Sequence, residues 1–230
     1  RPLTKADSKV SVVFEQFLRM LIECGLPPGD IDLIHCRGVE MGKLIEAAAD
    51  RIRLVQFTGS CAIAELTSRV VNGCVRLEDA GFDWKIIGPD YDPAWLDFVA
   101  WQSDQDAYNA SGQKCSAQSI LLVHENWTDA LLPKLAELAS RRKLDDLTLG
   151  PVLSWTNERM RAHIDRLTAI PGAKLLFGGN ELTNHSIPAC YGAIEATAVQ
   201  IPLAELTGTG FDAATTELFG PFQVVVEYGD

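Results

Sequence analysis

No apolar run in this sequence approaches the roughly 20 residues that a membrane-spanning helix needs. Its six cysteines, at positions 24, 36, 61, 74, 115 and 190, include no CxxC pair, and its four histidines, at 35, 124, 163 and 185, form no HxxxH pattern. Neither a metal centre nor a disulfide framework is indicated, and thiols in a reducing compartment are the simpler reading. Basic charge is scarce: 20 Lys and Arg stand against 31 Asp and Glu, a formal charge of -11, which argues against a nucleic-acid surface. The one tight basic cluster, Arg141, Arg142 and Lys143, falls where a helix is expected to end, so compensation of the helix dipole explains it. A GxGxxG fingerprint is also missing, since Gly38 and Gly42 in GVEMG do not form one.

What is present is ordinary globular material: 230 residues, 47% hydrophobic and 22% charged, enough for one large domain or two modest ones. The first residue is not Met, no leader-like stretch follows it, and FQVVVEYGD reads as a strand running to the last residue. The chain is therefore expected to be a fragment, or a mature form, of something longer.

Periodicity predicts an α/β fold. A DS pair at Asp7 is placed to cap a helix whose apolar residues Val10, Val13, Phe14, Phe17, Leu18, Leu21 and Ile22 recur at helical spacing until Gly25 and Pro27 stop it. Strands at 31–35, 53–57 and 74–78 then alternate with helices at 38–49 and 61–71, the pattern of a covered parallel sheet. Such sheets bind ligands beyond the carboxyl ends of their strands, where the turn Thr58-Gly59-Ser60 would lie. The passage DAGFDWKIIGPDYD reads as a domain boundary. A second unit follows, with helices at 94–108, 128–142 and 157–167 and strands at 120–124, 173–177, 196–201 and 223–228.

Three residues could carry chemistry. Cys115 lies in SGQKCSAQ among small polar neighbours, whereas a cysteine packed for bulk has apolar ones. Such a loop suits a thiolate that attacks a carbonyl while backbone N–H groups face the developing oxyanion. Glu78 ends an expected strand, where a carboxylate could activate water against a thioester or could equally be a solvated turn residue. Glu217, in TTELFGPF, is either a plain loop residue before a strand or an acceptor for ribose hydroxyls. A cysteine hydrolase would need a histidine beside Cys115, and His124 is the nearest in sequence.

Taken in order, FTGS (57–60), LEDAG (77–81), SGQKCSA (111–117) and ELFGPF (217–222) resemble the aldehyde dehydrogenase superfamily, and LEDAGFDWK, WQSDQDAYNASGQKCSAQS and HENW are most similar to its Δ1-pyrroline-5-carboxylate dehydrogenase type of plant and protist mitochondria. The resemblance implies two Rossmann-like three-layer α/β domains, both incomplete here. Residues 1–77 would be the later part of the NAD-binding domain and 78–230 most of the catalytic domain. It implies NAD-dependent oxidation of a small-molecule aldehyde, glutamate 5-semialdehyde, to its acid: thiolate addition, hydride transfer from the thiohemiacetal to NAD, then hydrolysis of the acyl-enzyme.

Carried over by position, Cys115 is the nucleophile and Glu78 the base for the deacylating water. Gly59 and Ser60 turn near the cofactor pyrophosphate, Glu217 holds the nicotinamide ribose, and Phe219 lies beside the ring. Arg1 stands where a lysine usually meets the adenosine ribose. No metal, nucleic acid or membrane is implied; a homo-oligomeric full-length form and a mitochondrial matrix location are. The commoner ELGGK reads Glu78-Asp79-Ala80-Gly81-Phe82 here, losing a glycine and a lysine. The asparagine that completes the family's oxyanion hole would lie upstream, so a non-catalytic fragment is the alternative expectation.

Overall fold

A computed structural model describes residues 1–79 and 81–230; Ala80 of the LEDAG motif lies outside the described residues. The chain divides into two units, Arg1–Ala80 and Gly81–Asp230. In the first unit β1 (Leu3–Thr4), α1 (Ser11–Glu23), β2 (Asp32–Leu33), α2 (Gly38–Ala47), β3 (Val55–Thr58), α3 (Cys61–Val70) and β4 (Val75–Glu78) follow one another. The strands pair in parallel as expected, but as two separate pairs, β1 with β2 and β3 with β4. Helix α1 ends in a Schellman turn. Gly25, at φ 105°, donates to the Ile22 carbonyl and Leu26 to the Leu21 carbonyl, each over 3.0 Å, a geometry that a side chain at position 25 would strain. Its start differs from the expected cap. Val10 occupies the N-cap without a side-chain bond, while the Asp7 carboxylate accepts from the Lys9 N–H at 2.9 Å and closes the preceding turn.

The second unit carries the larger core. Its elements are β5 (Asp83–Ile87), α4 (Leu96–Tyr108), β6 (Gln118–His124), α5 (Glu125–Ser140), α6 (Asn157–Thr168), β7 (Lys174–Phe177), β8 (Thr197–Pro202), α7 (Leu203–Leu206), α8 (Phe211–Ala214) and β9 (Phe222–Tyr228). The sheet order is β5-β6-β9-β8-β7, parallel except for β7, which pairs antiparallel with β8 at the edge. Alternate residues serve opposite faces. Ile120, Val224, Val226, Val199 and Ile201 pack with Met160, Ile164 and Leu167 of α6, whereas Leu121, Val123, Val225 and Ala198 pack with Ala100 of α4 and Leu131 and Leu135 of α5. Both faces are covered, so the strands read as near-continuous apolar runs.

Arg142 corrects one expectation. Rather than compensating a helix end, its guanidinium is buried against Asp104 of α4, with Nε 3.2 Å from Oδ1 and Nη2 2.5 Å from Oδ2. The two side chains are 8% and 4% exposed, which makes the pair a core feature.

Candidate active site

In the first unit, the parallel pairing of β3 and β4 sets Thr58 opposite Glu78, and the Gly59 N–H donates to the Glu78 carbonyl at 3.0 Å. The turn Gly59-Ser60 and the exposed Glu78 therefore share the carboxyl end of one strand pair, where an α/β unit places its ligands. Ser60 is the N-cap of α3, yet its side chain makes no capping bond, and the first turn of that ten-residue helix contains no acidic residue. The positive end of the helix is thus not already compensated from within, which fits a pyrophosphate. Arg1, two residues before β1, pairs its guanidinium with the carboxylate of Asp32, the first residue of β2.

The second unit uses the opposite end of its sheet. Cys115 stands three residues before β6, Gly81 two before β5 and Glu217 five before β9, so all three gather at the amino ends of parallel strands. Gly81 touches both others. A Cβ on it would lie 2.2 Å from the Cys115 carbonyl oxygen, and its N–H donates to the Glu217 carboxylate. Burial pushes the Glu217 carboxyl above its usual range. The Gly81 N–H opposes that shift, and the charge of Asp83 adds to it. Phe219 is half-buried on the same turn.

Cys115 itself is exposed, but the glycine and glutamine before it do not form the open loop that the sequence suggests. Ala110, Ser111 and Gly112 run in the left-handed region at φ 54°, 56° and 63°. Local bonds hold this turn. The Ser111 hydroxyl accepts from the Gly150 N–H at 2.8 Å, while the Gln113 side chain donates to the Pro151 carbonyl at 3.0 Å and accepts from the Leu153 N–H at 2.8 Å. The thiol therefore rides on a turn held by Ser111 and Gln113 and approached by Gly81, contacts that spacing did not single out.

His124 is excluded as a partner for Cys115. It ends β6 while Cys115 precedes its start, and seven extended residues span roughly 20 Å. The imidazole is buried, accepts from the Asn126 N–H at 3.2 Å as the cap of α5, and packs edge-on against Tyr228. Among the described residues, no group of three or more His, Cys, Asp or Glu could hold a metal ion, and no helix is long and apolar enough to cross a membrane.

The model of the aldehyde dehydrogenase family matches residues 2–230. The chain is 55% identical, over 99% of its length, to a mitochondrial delta-1-pyrroline-5-carboxylate dehydrogenase (12A1) of Arabidopsis thaliana, and 56% identical, over 99%, to a probable aldehyde dehydrogenase of Linum usitatissimum. It spans 41% of each of those proteins. Among solved structures, betaine aldehyde dehydrogenase from Staphylococcus aureus in complex with NAD+ matches with a TM-score of 0.82 at 23% identity, over 99% of this chain and 45% of that one.

Proposed function

Because this chain belongs to the aldehyde dehydrogenase family, we propose that the protein containing it oxidises an aldehyde to a carboxylic acid through Cys115. The observation that carries the reading is the exposed Cys115 on a fixed left-handed turn, gathered with Gly81 and Glu217 at one end of the sheet. The Cys115 thiolate adds to the aldehyde carbon, and the hydride then leaves that carbon, turning the thiohemiacetal into a thioester. A bound nicotinamide cofactor supplies the hydride acceptor. Glu78 takes a proton from water, which attacks the thioester carbonyl, releases the acid and returns the thiol.

The cofactor assignment follows the same residues. The Gly59-Ser60 turn at the uncompensated start of α3 would hold the pyrophosphate. Glu217 and Phe219 would serve the nicotinamide riboside, and Arg1, now paired with Asp32, would serve the adenosine ribose. NAD is the proposed nucleotide, glutamate 5-semialdehyde the aldehyde, and the mitochondrial matrix the location, all supported by the name of the Arabidopsis relative or by family resemblance. A homo-oligomer of the full-length protein is proposed on the same ground. The experiment is to follow NADH absorbance with the chain, NAD and glutamate 5-semialdehyde, beside Cys115→Ala. Turnover lost in the variant supports the proposal, and turnover kept in it contradicts the role of Cys115.

A further inference from the structure

Behind the Cys115 loop, the core of the second unit contains a run of side-chain hydrogen bonds whose direction one group fixes. The Thr197 carbonyl at the start of β8 can only accept, so the Tyr108 hydroxyl, 3.1 Å away, donates to it. Having used its one proton, that hydroxyl must accept from Gln223 Nε2 at 2.8 Å. The Gln223 amide is thereby oriented, and its Oε1 accepts from Gln118 Nε2 at 2.6 Å. Tyr108, Thr197 and Gln223 are wholly buried and Gln118 is 3% exposed. Burial also pushes the Tyr108 phenol far above its ordinary value, so the proton that starts the run stays in place.

The positions of these residues matter more than their number. Tyr108 is the last residue of α4, two residues before Ala110, where the left-handed turn that leads to Cys115 begins. Gln118 opens β6, three residues after Cys115, and Gln223 is the second residue of β9, six after Glu217. Backbone pairing between β6 and β9 begins only at Ile120 and Val224, while Gln118 pairs with Asp83 of β5 and Gln223 with Ala198 of β8. The Gln118–Gln223 bond therefore joins β6 to β9 beyond the end of their own ladder, on the side facing the Cys115 and Glu217 loops. Apolar side chains would fill the same volume but would not specify one relative placement of these segments, as directional hydrogen bonds do, although the run ends on Gln118 Oε1, which is buried without a partner among the described residues.

We propose that Tyr108, Gln223 and Gln118 are positioning residues that fix the Cys115 turn against the Glu217 turn. The inference rests on the function proposed above, in which those two residues act on one reacting complex. The test uses peptide-resolved alkylation by iodoacetamide, which needs neither aldehyde nor cofactor, on the 230-residue chain. Two variants remove the bonds with little change of volume: Tyr108→Phe, and Gln118→Met combined with Gln223→Met. A third, Leu135→Ala in the α5 core, lowers stability without touching the run.

In both network variants the Cys115 alkylation rate shifts by about fivefold or more, because access to the thiol and its surroundings are no longer held in one arrangement. Exposed Cys190 in the same unit changes by less than about twofold, as an independent site should. Leu135→Ala lowers the melting temperature and leaves the Cys115 rate as it was. A Cys115 rate that follows melting temperature across all three variants, or that is unchanged in both network variants while they remain folded, overturns the proposal. Failure of the parent chain to form NADH, with this labelling pattern intact, would count against the dehydrogenase reading alone.

Discussion

A Cβ added to Gly112 would sit 2.1 Å from the carbonyl oxygen of Gly220, so the turn before Cys115 and the turn after Glu217 meet backbone to backbone. Gly112 also has φ 63° and lies where a Cβ would be 2.9 Å from the Ala107 carbonyl oxygen. Gly112→Ala therefore combines left-handed strain of about 1–2 kcal/mol with overpacking of about 1–3 kcal/mol, for a loss of roughly 2–5 kcal/mol. Urea unfolding of the variant measures this, and a loss under about 0.5 kcal/mol, the size of a plain surface change, would contradict the close approach.

The buried Arg142–Asp104 pair makes a second prediction. Removing one partner leaves an uncompensated charge in the core, so Asp104→Leu or Arg142→Met is expected to cost about 3–5 kcal/mol. The double replacement Arg142→Met with Asp104→Leu should be much milder, because no charge remains buried. A double-mutant cycle by chemical denaturation checks both, and additive losses would contradict the pairing.

His163 predicts a pH dependence. Burial, and then the nearby Arg166, lower its pKa from 6.5 to about 4, and its ring is stacked edge-on between Trp155 and Phe222. The folded protein binds the proton less readily than the unfolded chain, so stability is full above the unfolded pKa near 6.5 and falls as pH drops toward 4. The shift corresponds to about 3 kcal/mol once both pKa values have been passed. Unfolding midpoints between pH 7.5 and 4 should show a His163 component that disappears in His163→Leu; equal slopes in both proteins would contradict it.

Glu217 predicts an opposite kind of experiment, on binding. Its carboxyl is raised by burial and by Asp83, so the carboxylate proposed to accept from the ribose is lost at a higher pH than an ordinary glutamate would be. Cofactor affinity should fall as pH drops through that raised value. Glu217→Gln should weaken binding about tenfold or more at neutral pH and remove the pH dependence. A variant whose affinity still follows the parent profile would contradict the role.

The alternation of helix and strand was readable because both sheet faces in the second unit are buried, so β6 and β9 stand out as apolar runs between turn residues. Site residues were readable where a residue type is out of place, as with Cys115 among polar neighbours. What was not readable depends on distant partners. The tie from Gln113 to Pro151 and Leu153, the approach of Gly81 to Cys115, and the burial of Arg142 against Asp104 join segments 34 to 40 residues apart and leave no local spacing. The carboxyl-end expectation was drawn for the Thr58-Gly59-Ser60 turn and for Glu78, and the parallel pairing of β3 and β4 puts Gly59 and Glu78 there; Cys115 and Glu217 precede their strands, as their order in the sequence indicates.

The most direct test of the central claim is to trap the acyl group. Glu78→Gln, incubated with glutamate 5-semialdehyde and NAD, should form the thioester and fail to hydrolyse it. Peptide mass spectrometry should then find the glutamyl adduct on the Cys115 peptide, with NADH formed in a single burst. An adduct on another cysteine, or NADH formed with Cys115 unmodified and replaceable by alanine, would contradict the account.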